Sequence, residues 1–417
     1  MNCDETYLAF PSWHRHFLEC LGQELLSSNE IQEKRYGLEN LSTLRSDGSL
    51  LNGVYKVVLS DDSYYEGDFV NGSPNGDFNF YNRNGKLSYV YPYQNGALTG
   101  VQKEYHRNGK LKIEEEVTKG LRTGFYREYT LQGALWREYH YKNGMLDGSF
   151  REFWDGKLFK DRQYKEDSPN GEWRDYYDGK LIAIEHYKMG KKDGQQWRHK
   201  YWDAHSGTGV FETEYYKEDV PVGLWEKRKE DGTIVSEKEF KPDNSSVYKL
   251  YHDNGKLFER VGYKSNKRHG SYLRYNDLGG LLEETTYVND YATHQKLFYP
   301  NGQLKEALFY KDGQRDGKAV LYDEQGHIVR QGAYAKDCEE GLWQYYWAGV
   351  LAEEINFCQG RREGAYKEYS LSGKLCVEGQ YTDNQRNGLW KYYTETGELS
   401  EEIIYKDGKP IQATRYK

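Results

Sequence analysis

Apolar and polar positions alternate in short runs along this chain, and the same runs recur many times. In one representative stretch, residues 388–409, an aromatic run ends in a glycine turn and a second run extends from Leu399 to Tyr405. Side chains six residues apart lie on the same face of a strand, whereas a helix would separate them around its axis. Glu402, three positions after Leu399, then lies on the opposite face. The pattern therefore predicts a pair of short strands.

This pair of strands recurs as fourteen copies, at intervals of 23 or 24 residues and one interval of 29. Twelve copies open on glycine, and the other two open on Ser246 and His294; the glycines are Gly76, Gly100, Gly124, Gly148, Gly171, Gly194, Gly223, Gly270, Gly317, Gly341, Gly364 and Gly388. Asn-Gly and Asp-Gly pairs such as Asn143-Gly144 tolerate the positive φ of tight hairpin turns. Because one hairpin cannot bury its apolar face alone, we predict an all-β fold: an elongated, single-sheet antiparallel β-meander of about 14–15 hairpin repeats over residues 51–417.

One stretch carries a more specific signature. Between Tyr65 and Gly76, glycines stand at positions 67 and 72, which is the Tyr-x-Gly-x-x-x-x-Gly-x-x-x-Gly spacing of a MORN repeat. Gly332 and Gly379 keep the first of these glycines, whereas most later copies lose it, so the array from residue 53 to 417 resembles the variant MORN repeat. The resemblance implies a scaffold. It also implies a narrower role, because bacterial arrays of this type are similar to antitoxins and immunity proteins that neutralise a toxin by binding it.

Residues 1–50 lack the repeat. Apolar positions at helical spacing predict a helix over 13–26, capped by Ser12, and a short second helix over 30–36. We interpret this segment as a small helical N-terminal cap that covers the first edge of the sheet. A docking helix for a partner is the functional alternative. A metal site is a further alternative, with Cys3, His14, His16 and Cys20 as its ligands.

The array is irregular between residues 194 and 246. This zone holds the long copy, and the aromatic normally found five residues after the opening position is replaced by His199 and, in the next copy, by Arg228. A tolerated loop insertion with a bend would explain the zone, and a binding or hinge site is the functional alternative. The candidate partner-binding residues are Trp197, His199, Trp202, His205, Trp225 and Arg228, since Trp and Arg are frequent interface anchors.

Charge and cysteine content limit the classes of partner and the cellular compartment that we expect. The net charge of -8 argues against a general nucleic-acid binder. Basic clusters such as Lys227-Arg228-Lys229 are interpreted as solvated turns, with an anionic lipid or RNA patch as the alternative. The five cysteines have no metal-ligand spacing and indicate free thiols in a reducing compartment. Because the chain shows neither a long apolar span nor a secretory signal, we expect a cytoplasmic location.

We find no catalytic motif, no cofactor-binding loop and no metal motif, and residues 1–50 are too short for a catalytic domain. The acid of the second strand recurs as a repeat position, and we expect it to pair with Arg127, Arg137 and Arg151 on neighbouring strands. The tyrosines are interpreted as packing along the sheet, with a ligand groove as the alternative. We therefore predict a non-catalytic protein-binding scaffold, of antitoxin or immunity type, that binds a protein partner. The alternative is a membrane-associated scaffold that binds phospholipid.

Overall fold

The computed structural model describes residues 24–36, 40–201 and 208–417. The chain divides into two compact units: the first comprises residues 1–198 and 216–220, and the second comprises residues 199–215 and 221–417. Within the described residues of each unit, the regular structure is an open sheet of hairpin strands, and the N-terminal unit adds one short hairpin of its own and a single turn of 3-10 helix at Ser28–Glu30. The predicted all-β meander of hairpin repeats is therefore confirmed.

The strands of the first unit are β1 (Glu24–Ser27), β2 (Ile31–Tyr36), β3 (Asn40–Arg45), β4 (Gly53–Val58), β5 (Tyr64–Val70), β6 (Ser73–Tyr81), β7 (Leu87–Gln94), β8 (Ala97–Leu98), β9 (Gly100–Tyr105), β10 (Leu111–Thr118), β11 (Leu121–Tyr129), β12 (Leu135–Lys142), β13 (Met145–Trp154), β14 (Lys157–Lys165), β15 (Ser168–Pro169), β16 (Gly171–Tyr177), β17 (Lys180–Lys188) and β18 (Lys191–Lys192). Three strands contain the points at which the chain divides: β19 (Gly194–Lys200), β20 (Val210–Lys217) and β21 (Val220–Pro221).

The strands of the second unit are β22 (Gly223–Lys229), β23 (Ile234–Phe240), β24 (Ser245–Tyr251), β25 (Leu257–Lys264), β26 (Lys267–Tyr275), β27 (Leu281–Val288), β28 (Tyr291–Phe298), β29 (Leu304–Lys311), β30 (Gln314–Tyr322), β31 (Ile328–Ala335), β32 (Cys338–Trp347), β33 (Val350–Cys358), β34 (Arg361–Tyr369), β35 (Leu375–Thr382), β36 (Gln385–Tyr393), β37 (Leu399–Lys406) and β38 (Lys409–Arg415).

Two kinds of turn connect these strands. The outer turns, between one repeat and the next, are mostly two-residue turns with both residues at positive φ, as at Asn143 (51°) and Gly144 (82°). Most inner turns, between the two strands of a repeat, are longer, and only their glycine has a positive φ, as at Gly255 (79°). The N–H of Gly255 donates to the carbonyl of His252 at 2.9 Å. Both kinds use Asn, Asp and Gly for the backbone reason that the sequence suggested.

The opening glycines mark shifts in strand register. All twelve have φ between 67° and 132°, a region that side chains with a Cβ rarely adopt. Gly388, for example, lies inside a β-bulge between the pairs Lys391↔Glu378 and Asn387↔Gln380. Where Ser246 replaces the glycine, the strands β23 and β24 pair without any shift. The opening glycine therefore accompanies the bulge in most repeats, whereas the repeat that opens on His294 keeps a register shift without it.

One face of the sheet, here called the aromatic face, carries the ring found two residues after nine of the twelve opening glycines. In the last repeats this ring is Trp390, which is 0% exposed and lies 5.2 Å from the ring of Tyr381 and 5.4 Å from that of Tyr366. Its indole N–H donates to the carbonyl of Gln380 at 3.2 Å. Gly379 lies directly beneath the indole, and a Cβ built there would lie 2.3 Å from the ring.

The same arrangement recurs elsewhere on the aromatic face. A Cβ on Gly332 would lie 2.3 Å from the ring of Trp343, and one on Gly67 would lie 2.5 Å from Phe78. These three glycines are the ones that carry the MORN-type signature in the sequence. Their role is therefore steric, because each leaves room for a ring from the next strand to close over the sheet.

The N-terminal segment differs from the sequence prediction. The described residues that were expected to end one helix and to form a second are strands, β1 and β2, and β1 pairs in parallel with β4. Pairing with the exposed edge of β4 satisfies backbone groups that a helix would have left open, so tertiary context overrides the helical spacing. The expected cap of the first edge is thus made by a strand over residues 24–27, and the helix predicted from residue 13 lies otherwise outside the described residues.

We predict that Trp390→Ala lowers the free energy of unfolding by about 3–5 kcal/mol, because it empties a fully buried site. The matched control is Leu389→Ala on the opposite face, where the side chain is 44% exposed and the expected change is within about 0.5 kcal/mol. Urea unfolding monitored by circular dichroism measures both. Equal effects of the two substitutions would show that the aromatic face is not the packed face.

We also predict that Gly379→Ala destabilises the protein by about 1–3 kcal/mol, because the new methyl group overlaps the indole of Trp390. Replacing the indole with a smaller ring makes room for the methyl group. The double variant with Trp390→Phe should therefore lose less stability than the two single effects combined. Strict additivity in urea unfolding would mean that the two residues do not compete for the same space.

Candidate functional site

The face opposite the aromatic face carries a row of directly opposed residues, one from each consecutive long strand, here called the charge row. In the first unit the row is Lys56, Glu66, Asn79, Val90, Lys103, Glu114, Arg127, Glu138, Arg151, Asp161, Arg174, Ile184 and Trp197. In the second unit it is Thr213, Glu226, Glu237, Lys249, Arg260, Leu273, Glu284, Lys296, Ala307, Val320, Gln331, Gln344, Glu354, Lys367, Glu378, Lys391 and Glu402.

Opposite charges alternate along the middle of this row in the first unit. Arg127 lies 2.8 Å from Glu138 and 3.4 Å from Glu114, and Arg151 lies 3.2 Å from Asp161 and 3.9 Å from Glu138. The expected pairing of these arginines with the recurrent acids is therefore confirmed. Each exposed pair contributes only about 0.2–1 kcal/mol to stability. The row therefore chiefly neutralises its own charges and disfavours a slipped strand register.

Arg137 forms a related pair of bridges on the aromatic face. It lies 3.6 Å from Glu128 and 3.2 Å from Glu152, which flank it on the two neighbouring strands. The prediction that Arg137 pairs with acids is confirmed, although its partners belong to a second row and not to the charge row.

Tyrosines extend the charge row in several repeats. The hydroxyl of Tyr393 donates to the carboxylate of Glu378 at 2.7 Å, and that of Tyr369 donates to Glu354 at 2.9 Å. The hydrogen bond to Glu378, aided by burial, raises the pKa of Tyr393 to about 12. Burial and the hydrogen bond to Glu354 raise the pKa of Tyr369 to about 12. The aromatic five residues after the opening position therefore caps the acid of the preceding strand.

The first unit departs from this chemistry where the irregular zone begins. Ile184 takes the place of the acid and Trp197 the place of the base, and the two are directly opposed across β17 and β19. With Leu181, His186 and Gln195 they line a shallow pocket of about 280 Å³. An apolar pair thus follows the continuous run of charged residues from Lys103 to Arg174 on this face.

The second unit departs from the pattern in a different way. Glu226 stands where other repeats carry a base, and it directly opposes Glu237. Arg228 stands where other repeats carry the tyrosine, and its guanidinium donates to Glu226 at 2.5 Å. Burial opposes the ionisation of Glu237, but hydrogen bonds from Lys249 and Tyr251 outweigh it and lower the pKa of this carboxyl. Each of the two neighbouring carboxylates therefore has its own donors, Arg228 for Glu226 and Lys249 with Tyr251 for Glu237.

His199 lies in the second unit and occupies the tyrosine position of its own repeat. Its Nε2 lies 2.8 Å from the carboxylate of Glu230, and its ring centroid lies 4.6 Å from that of Phe211. In both exceptional repeats the preceding strand has no acid at the row position, since Ile184 and Thr213 stand there. A tyrosine at position 199 or 228 would therefore lack the carboxylate that accepts its hydroxyl hydrogen in other repeats.

Trp225 lies on the aromatic face, so the structure places it on the opposite side of the sheet from Arg228. Its indole N–H donates to the carbonyl of Tyr215 at 3.0 Å, and its ring lies 4.7 Å from that of Phe240. Trp173, Trp343 and Trp390 make the equivalent hydrogen bond to a carbonyl ten residues earlier. Its surroundings are thus those of the repeat's packing tryptophan, and the odd spacing between 225 and 228 already implied opposite faces.

The remaining sequence candidates lie outside the described residues. Trp202 and His205 belong to the segment 202–207, and the suggested metal ligands Cys3, His14, His16 and Cys20 precede residue 24. Within the described ranges, no group of three or more His, Cys, Asp or Glu side chains is placed to hold a metal ion. Cys338, Cys358 and Cys376 are free thiols.

Sequence reasoning missed two residues that shape this face. Ile184 and Glu226 become distinctive only through the residues that oppose them across the sheet, Trp197 and Glu237. A signal for them was present, because each breaks or alters the charge expected at its repeat position. That signal can be interpreted only when the register of neighbouring strands is known, and the bulges shift this register.

A succession of antiparallel hairpins with one packed aromatic face and one charged face defines a β-hairpin repeat protein. A family model described as MORN repeat variant matches six segments of the chain, at residues 74–95, 98–118, 246–265, 294–312, 362–383 and 386–407. The chain thus contains variant MORN repeats in these six segments. Repeats of this family typically serve as non-catalytic scaffolds for binding.

Other comparisons add little. No curated protein matches the chain. Among solved structures, the crystal structure of TcdB2-TccC3 aligns with 93% of this chain at 10% identity and a TM-score of 0.15, and the chain spans 27% of the matched chain's length. A likeness with so low a TM-score carries no argument about function. In the part of the chain that the structure describes, no helix is long and apolar enough to cross a membrane.

We predict that Tyr393 ionises near pH 12 and not near its ordinary value of 10.0. Because the folded state raises this pKa, the tyrosine's contribution to stability is complete below pH 10 and is lost as the pH rises through about 12. Ultraviolet difference absorbance of tyrosinate, with Tyr393→Phe subtracted, isolates the group.

Glu378→Gln should shift this ionisation to lower pH, because it removes the charge that accepts the hydroxyl hydrogen. Glu395→Gln, in an exposed turn of the same repeat, is the control and should leave it unchanged. An ionisation near pH 10 in the native protein would contradict the pairing.

Proposed function

We propose that this protein is a non-catalytic scaffold that binds a protein partner, and that it neutralises that partner in the manner of an antitoxin or immunity protein. The observation that carries the proposal is the replacement of a charged pair by Ile184 and Trp197 on the open face of the first unit. Apolar and aromatic side chains that line a shallow pocket are the usual anchors of a protein interface.

The surrounding charge row supports this choice of patch. Along Glu114 to Asp161 the charges are matched within the sheet, so these side chains have little to gain from a partner. The side chains of Trp197 and Ile184 are uncharged, and a partner that covers them would remove apolar surface from water. A patch of this kind, surrounded by polar side chains such as His186 and Gln195, has the composition of an interface core with a polar rim.

A second contact surface is proposed on the second unit, around Arg228, Glu226 and Glu237. Here two carboxylates, Glu226 and Glu237, directly oppose one another in the charge row. A partner that offers a base to these acids would gain a charge-assisted hydrogen bond. The proposed contact set also includes His199, Trp202, His205 and Trp225.

A tagged pull-down from the native host, quantified by mass spectrometry, tests the proposal. The intact chain is compared with Trp197→Ala and Arg228→Ala, and with Trp347→Ala as a control that removes an exposed tryptophan (70%) outside both patches. We expect one stoichiometric protein that is retained by the control and reduced about tenfold or more by Trp197→Ala. Purified components should reproduce the loss in isothermal titration calorimetry.

The antitoxin role has a separate test. Expression of the recovered partner alone should arrest growth of the host, and co-expression of the intact chain, but not of Trp197→Ala, should restore it. Equal recovery of a partner by all variants would refute the assigned patches. Recovery of anionic phospholipid vesicles in place of a protein would favour the alternative, a membrane-associated scaffold.

A further inference from the structure

A groove crosses the inner-turn edge of the first unit, away from the proposed contact patches. It has a volume of about 740 Å³, and its walls include Tyr129, Trp136, Phe153 and Trp154, with Asp155 at the rim. This volume is within the range of sites that enclose a small molecule or a short peptide. We refer to these five residues as the tryptophan groove.

The two tryptophans are held by the strands that carry them. Trp154 ends β13 and pairs with Lys157 across the two-residue turn Asp155-Gly156, so it belongs to the sheet even though it is 74% exposed. The guanidinium carbon of Arg137 lies 3.8 Å from the ring centroid of Trp136 and supports that indole by a cation–π contact. An indole restrained by such a contact, as that of Trp136 is, loses less conformational freedom when a ligand binds.

The hydrogen-bonding state of these indoles distinguishes them from the packing tryptophans. Trp173, Trp225, Trp343 and Trp390 each donate to a backbone carbonyl of the neighbouring strand. Among the described residues, neither Trp136 nor Trp154 has an acceptor for its indole N–H. The groove therefore combines apolar walls with two indole donors that no group in the described ranges accepts from.

The charges at the groove exclude one class of ligand and favour another. Glu128 lines it and is already paired with Arg137 at 3.6 Å, while the Asp155 carboxylate makes no ion pair within the described residues. No Lys or Arg side chain lines the groove, so an anionic ligand would be repelled. A neutral or cationic ligand with hydrogen-bond acceptors is the better match.

We infer that the tryptophan groove binds a proline-rich segment of another protein in the polyproline II conformation, with a Lys or Arg of that segment against Asp155. A polyproline II chain has no internal hydrogen bonds, so its carbonyls are free to accept from the two indoles. Its proline rings pack on aromatic walls, which is the recurring way in which such segments are recognised. An α-helix offers no comparable row of carbonyls, because its own backbone uses them.

Fluorescence anisotropy with labelled synthetic peptides of about ten residues tests this inference. The probes are an all-proline peptide, a proline peptide with interspersed arginines, and a Gly/Ser peptide of the same length. We expect the intact chain to bind both proline peptides, the arginine-containing one more tightly, and not to bind the Gly/Ser peptide. Isothermal titration calorimetry should give a single site per chain.

Four variants locate the binding. Trp154→Ala removes a wall, and Trp136→Phe keeps an aromatic ring but removes its N–H donor, so each should weaken binding about tenfold or more. Asp155→Asn keeps the left-handed turn (φ 48°) and should weaken only the arginine-containing peptide. Trp347→Ala is the matched control, because Trp347 also precedes a two-residue turn but has Val329 where the groove has Trp136. It should change the affinity less than twofold.

Circular dichroism of each variant confirms that the sheet is intact, which is expected for a residue as exposed as Trp154. Failure of the intact chain to bind either proline peptide would overturn the inference. So would equal losses from Trp154→Ala and Trp347→Ala, or concentration-dependent self-association that Trp154→Ala abolishes, since the latter would assign the groove to a second copy of the chain. The outcome is independent of the Trp197 experiment, so either proposal can fail alone.

Discussion

The structure depends on the register of each strand against the next. Because side chains alternate between faces, a slip of one residue would exchange the aromatic and charged faces of a whole strand. The opening glycines prevent this by adopting a positive φ inside a bulge, as Gly388 does beside the pair Lys391↔Glu378. Everything else on the two faces follows from that pairing, including the contact of Trp390 with Gly379 and the hydrogen bond from Tyr393 to Glu378.

The two faces meet different physical demands. The aromatic face removes rings such as Trp390 from water and satisfies their N–H groups with backbone carbonyls. The charged face stays open to solvent and neutralises itself through alternating acids and bases, as at Arg127 between Glu114 and Glu138. A protein built from consistent local rules shows its functional sites where a rule is broken.

The two breaks are of different kinds. At Ile184 and Trp197 the charge row becomes apolar while the backbone remains regular, which suits a broad contact with a folded partner. At Trp154 the inner turn shortens to Asp155-Gly156, and the strand gains a residue that carries an indole beyond the sheet. That change creates a groove, which suits an extended segment. A repeat scaffold can thus offer different binding chemistry at successive positions without altering its fold.

The sequence by itself determined the strands, the turns and the face of most side chains, because these depend on local spacing and turn chemistry. The odd spacing of Glu402 from Tyr405 placed these two residues on opposite faces correctly, but a bulge pairs Leu399 with Tyr393, so Leu399 lies on the same face as Glu402 and not on that of Tyr405. It also implied opposite faces for Trp225 and Arg228, although both had been grouped in one candidate site. Only the tertiary structure decided which residues oppose one another, such as Ile184 with Trp197, since bulges on neighbouring strands shift the register by amounts that no single strand encodes. It also decided that residues 24–27 form a strand, because pairing with the free edge of β4 outweighs a helical pattern that has no such partner.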